Sequence, residues 1–159
     1  MHSCGGSPLV ESRDATPRAI LAIDYGRRRL GLALSDALRV TARPLATWTR
    51  TNRRRDLARL RVLCRSHGVA GIVVGWPLRL DGTPGAMASE AAQFAERLRK
   101  NLGLPVELTD ERLSSWEAEQ TLNEAGGTLS RRKKRALDEV AAAVILRDYL
   151  SRIRNATQG

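Results

Sequence analysis

Three carboxylates in this 159-residue chain stand where solubility does not call for them, and together they have the chemistry of a cation site. Asp24 closes a compact apolar run and Glu111 lies just past a later one. Asp138 precedes Ala141, Ala142 and Ile145 by three, four and seven residues, the spacing that places side chains on one helical face. A carboxylate buried without a partner costs several kcal/mol or takes up a proton, whereas a divalent cation shared among several carboxylates offsets that cost. Ligands of α/β sheets gather at the carboxyl ends of strands, where Asp24 and Glu111 both fall. Each acid also has an ordinary reading. Asp24, two residues before Gly26, suits a turn; Asp138, in the first turn of a predicted helix, suits a helix dipole; Glu111 suits a solvated connection. One cation-binding cluster explains all three at once.

The chain holds two cysteines, Cys4 and Cys64, and two histidines, His2 and His67, which leaves no zinc-site spacing and no disulfide framework. Two free thiols are expected, and any metal must sit on hard carboxylate oxygens, which favour magnesium or manganese. Basic residues add a second kind of chemistry. Arg53, Arg54 and Arg55 open one predicted helix, and Arg131, Arg132, Lys133, Lys134 and Arg135 immediately precede another. Cations at the positive end of a helix dipole cost roughly 0.3–1 kcal/mol each, and a bound phosphate would relieve that. Exposed, screened side chains are the better explanation of the group at 53–55. The run at 131–135, in a loop behind Gly126-Gly127, reads as a phosphate contact.

Positioning these residues requires a mixed α/β scaffold. Residues 19–23 and the alternating stretch from Leu30 predict two strands joined by a turn short enough for an antiparallel hairpin, with Gly26 supplying a positive φ. Residues 40–49 contain Pro44, which confines a third strand to an edge. A helix over 52–67 stops at Gly68, and 69–75 is apolar and β-branched as in a strand buried on both faces. Trp76-Pro77 marks its end. A second helix runs from Met87 to Leu102, a short strand covers 106–109, and Ser114 with Glu117 forms a capping box for a helix reaching Gly126-Gly127. Residues 137–153 predict a final helix, apolar on most sides over its first half. Residues 1–18 are expected to form a flexible leader, 19–153 a single domain and 154–159 a short tail.

Composition narrows the class. At 42% hydrophobic residues the chain is neither a disordered basic tail nor a disulfide-stapled miniprotein. No apolar run approaches the ~20 residues of a membrane span, and the opening residues lack the order of a signal peptide, so a cytoplasmic location and no membrane partner are expected. Net charge is +10, which favours a polyanionic partner. The 24 Arg against 3 Lys also fit a general compositional preference. Aromatic residues are only 4%, which argues against a stacking platform for single strands and for a shape-reading grip on folded or duplex nucleic acid.

Four ordered blocks, LAIDYGRRRLGLALSD, GIVVGWPLRLDGTPG, LTDERLSSWEAEQTL and KKRALDEVAAAVILRDYL, closely resemble those of the YqgF family, also called RuvX or Holliday-junction-resolvase-like. The likeness covers about residues 19–152. It implies an RNase H-like fold, a five-stranded mixed sheet flanked by helices on both faces. It also implies a metal-dependent endonuclease that matures the precursor of 16S ribosomal RNA, with resolution of branched DNA as the older alternative. Carried over by position, the catalytic and metal-binding acids are Asp24, Glu111 and Asp138, with two magnesium or manganese ions expected. Asp110, beside Glu111, is an alternative ligand. Gly26, Arg29 and Gly31 match the first block, Gly75 and Pro77 the second, and Arg112 the third. Arg29, Arg112, Lys133 and Lys134 are the expected nucleic-acid contacts, and Gly26, Gly31, Gly75 and Pro77 the structural loop positions. A non-catalytic nucleic-acid-binding module and a phosphotransferase with a similar Asp-x-Gly opening are the competing classes.

Overall fold

The structure is a computed structural model and describes residues 18–76, 85–110 and 131–158. Their order is β1 (Ala19–Tyr25), β2 (Arg29–Ser35), β3 (Ala42–Thr49), α1 (Arg53–Ser66), β4 (Val69–Trp76), α2 (Gly85–Leu102), β5 (Val106–Asp110) and α3 (Arg131–Gln158). The strands form one sheet in the order β3-β2-β1-β4-β5. The β1–β2 and β2–β3 pairs are antiparallel, whereas β1–β4 and β4–β5 are parallel. The carboxyl ends of β1, β4 and β5 therefore lie side by side.

Strand alternation divides the core in two. Leu21, Ile23 and Tyr25 of β1 join Leu57 and Leu60 of α1 and Phe94 and Leu98 of α2. Ile20 and Ala22 point the other way, onto Ala142, Ile145, Leu146 and Tyr149 of α3. Helices thus cover both faces of a five-stranded mixed sheet, as the resemblance implies. Residues 142, 145, 146, 149 and 150 form one helical stripe, and Asp138 extends it by a further turn toward the amino end. Ile145, Leu146 and Leu150 are fully buried, each contributing about 1.5–3 kcal/mol, so the stripe is strong enough to carry a carboxylate at its end.

Local sequence explains the boundaries. Asn52 caps α1 by accepting from the Arg55 amide at 2.9 Å, and α1 and α2 are followed by Gly68 and Gly103 at φ +61° and +68°. The proline-bearing β3 is an outer strand, with a register shift opposite Leu32/Ala33 beside Pro44. Two expectations need correction. Gly26 does not take a positive φ; a Cβ there would stand 2.7 Å from the Arg29 carbonyl oxygen, so clearance is what the turn requires. The last helix begins at Arg131, so residues 131–135 form its opening turns rather than a preceding loop, and it continues to Gln158. The predicted helix after Ser114, its capping box and the leader lie outside the described residues.

Candidate active site

Asp24 is the last residue of β1 whose side chain turns toward α3. In register it stands between two glycines, Gly31 on β2 and Gly75 on β4. Those neighbours leave a slot beside it that α3 fills. A Cβ on Gly31 would overlap the backbone carbonyl of Asp138, and one on Gly75 would come within 2.7 Å of Ile145 Cδ1. The glycines are therefore what lets α3 descend far enough to bring Asp138 over Asp24.

The resulting pair is electrostatically strained. Asp24 is only 7% exposed, and its Oδ1 has no hydrogen-bond partner among the described residues. Burial first, and the nearby charge of Asp138 second, hold its carboxyl well above the usual carboxylate range. Asp138 is better provided for, because Arg29 Nε donates to its Oδ2 at 2.6 Å. Since α3 starts at Arg131, Asp138 lies about two turns inside the helix, beyond the reach of the N-terminal dipole, so the dipole reading of this acid fails. A turn role for Asp24 is equally inadequate for a buried oxygen with nothing to accept from.

The fold thus gathers Asp24, Asp138, Arg29, Gly31 and Gly75. Asp110 ends β5 opposite Trp76, one residue before Glu111 and at the same end of the sheet as Asp24. Glu111, Arg112 and Pro77 lie outside the described residues. Lys133 and Lys134 lie in the opening turns of α3, with side chains outside the description. Among the described residues no group of three His, Cys, Asp or Glu converges. The two aspartates that do meet fit a hard cation: oxygen donors, unbalanced negative charge and one buried lone-pair acceptor left over.

Two supports were not anticipated from the sequence. Tyr149 of α3 donates to the Glu107 carboxylate, and Arg152 Nη2 donates to Thr109 Oγ1 at 3.1 Å, tying the helix that carries Asp138 to β5. Glu107 and Thr109 alternate with Val106 and Leu108, a polar pair facing an apolar helix, and that was the available signal. Behind the sheet, Arg50 holds the turn after Asp24. Its Nε donates to Asp56 Oδ2 at 3.1 Å, and its Nη1 to Tyr25 Oη at 3.1 Å and the Gly26 carbonyl at 3.2 Å.

Comparison with known proteins identifies the family. A family model described as "RuvX: Holliday junction resolvase" matches residues 18–152. A protein of Anaeromyxobacter dehalogenans strain 2CP-1 is 47% identical over 132 residues, covering 83% of this chain and 96% of its own. One from Syntrophus aciditrophicus is 42% identical over 134 residues, covering 84% and 89%. Both are named "Putative pre-16S rRNA nuclease". Among solved structures, Thermus thermophilus RuvC bound to a Holliday junction superposes with a TM-score of 0.53 at 16% identity, covering 86% of this chain and 96% of that one, a likeness of fold. With a family model spanning residues 18–152 and relatives 42% and 47% identical over more than four-fifths of its length, the chain belongs to the RuvX family.

Proposed function

We propose that this protein is a divalent-metal-dependent endonuclease that cleaves phosphodiester bonds in the precursor of 16S ribosomal RNA in the cytoplasm. The observation that carries the reading is the buried, unpartnered Oδ1 of Asp24 beside Asp138. Asp24, Asp138 and Glu111 would hold magnesium or manganese, and the bound metal would supply Lewis-acid stabilisation of charge on the phosphoryl oxygens. Asp24, on a rigid central strand, fixes the site's position. Asp138 supplies the opposing carboxylate, and Arg29 orients it and offers a cation beside the phosphate path. Arg112, Lys133 and Lys134 are assigned to flanking phosphates.

The names of the relatives support the RNA substrate, and the family description supports a second reading, resolution of a four-way DNA junction. Both predict a nuclease. No described helix is long and apolar enough to cross a membrane. The test is cleavage of labelled precursor rRNA and of a synthetic junction by the parent and by Asp24→Asn, with magnesium present or chelated. Magnesium-dependent cleavage of the rRNA that Asp24→Asn reduces at least 100-fold supports the proposal. Cleavage of the junction alone favours the second reading, and equal cleavage by both proteins rejects the site.

A further inference from the structure

The helix α1 carries six arginines, at 53, 54, 55, 59, 61 and 65, all exposed, and no exposed acid. Its single carboxylate, Asp56, is buried and bonded to Arg50. Arg55–Arg59 and Arg61–Arg65 are like-charge pairs at i, i+4, an arrangement that weakens a helix by about 0.2–0.5 kcal/mol per pair. A compositional preference for arginine over lysine explains the choice of base. It does not explain why none of the chain's 17 Asp and Glu is exposed on this helix. Opposite, on α2, Glu90 and Glu96 are paired with Arg27 and Arg99, while Arg97 makes no side-chain bond among the described residues.

Four of the six, Arg53, Arg54, Arg61 and Arg65, line adjoining pockets that together form a trough, whereas Arg59 stacks on the Trp48 ring. Arg53, Arg54, Arg61 and Arg97 border its middle. Arg53 and Arg97 continue it to Arg27 and Tyr25, the residue after Asp24, and Arg61 continues it to Arg65 and Arg18. It follows the 14 residues of α1, about 21 Å. We propose that this trough is a second nucleic-acid contact, gripping the sugar-phosphate backbone of an RNA stem that flanks the cleavage position. The inference rests on the nuclease reading only for its substrate, since the trough lies on the sheet face opposite α3 and uses none of the acids. Arginine forks suit phosphate, and Arg54, Arg65 and Arg97, which make no side-chain bond among the described residues, are free to make such contacts without sequence preference.

The test uses the full-length protein, Arg54→Gln/Arg65→Gln/Arg97→Gln, and the corresponding triple Lys variant. Arg61 is left in place because it donates to the Asn101 carbonyl at 2.7 Å. Anisotropy measures binding of an RNA stem lacking the cleavage sequence, a DNA duplex of the same sequence, and polyglutamate, across a salt series. The Gln variant should lose affinity for the stem at least tenfold at low salt, and its salt slope should flatten by about 2–3, near 0.9 per lost phosphate contact. The Lys variant should keep most of the slope. An unchanged slope in the Gln variant, equal loss in the Lys variant, or an effect confined to DNA or polyglutamate would overturn the inference. A parent protein that binds the stem in this way yet cleaves nothing would fail the nuclease reading alone.

Discussion

Gly31 lies directly opposite Asp24 on β2, and the space its missing side chain leaves is occupied by the backbone of Asp138. One small residue therefore sets the height at which α3 crosses the sheet, and with it the approach of two acids 114 positions apart in the chain.

Gly31→Ala should lift or shift α3 at Asp138. Denaturant unfolding should register a loss of about 1–3 kcal/mol, the usual range for overpacking. Cleavage should fall further than stability explains, because the variant remains folded while its acids are separated. A fully active Gly31→Ala protein of parental stability would show that the close approach does not matter.

Asp24 makes the apo protein less stable as pH rises. Its folded-state carboxyl titrates above its unfolded value, so its contribution is fully present below about pH 4, where both states are protonated. It is lost as pH rises through the raised folded value. Asp24→Asn removes this dependence, and in chelator at neutral pH it should be about 1–3 kcal/mol more stable than the parent, the scale of a buried unsatisfied group. Thermal scans from acid to neutral pH check this, with the two proteins converging at the acid end. A variant less stable than the parent at neutral pH would argue that the Asp24 charge is compensated.

Arg50 and Asp56 form a mostly buried pair, with side chains 18% and 4% exposed. Arg50→Ala leaves the Asp56 charge without its partner and should cost about 3–5 kcal/mol. Arg50→Met with Asp56→Asn should recover much of that loss. A double-mutant cycle by urea unfolding gives the coupling, and additive single effects would show that the pair is not a unit.

Burial pushes the Cys64 thiol up to about 11. At pH 8 roughly one thiol in a thousand is thiolate, so a Cys4→Ser protein should react with a disulfide reagent far more slowly when folded than in denaturant. Equal rates would place Cys64 at the surface.

Much of the scaffold was legible in the sequence for reasons that are local. Alternation gave the hairpin, Pro44 gave the outer strand, and Gly68 gave a helix end. The start of α3 was not, because the run from Arg131 to Arg135 has no apolar periodicity and its charges read as a loop. Asp24 and Asp138 stood out as acids among apolar neighbours. Their mutual approach was invisible, since it depends on Gly31 and Gly75 meeting a helix from the far end of the chain. Arg29 looked like a phosphate contact from its place in the motif. Its bond to Asp138 needed the crossing of β2 and α3 to be known. The contacts of Arg50 with Tyr25 and Gly26, and of Tyr149 with Glu107, likewise join segments 24 or more residues apart, with no local signature.

Manganese binding measured by electron paramagnetic resonance tests the pairing of Asp24 with Asp138 most directly. The parent should bind the ion with a dissociation constant that Asp24→Asn and Asp138→Asn each raise at least tenfold, while both variants stay folded by circular dichroism. Parental affinity in either variant would contradict a shared cation site at the end of β1.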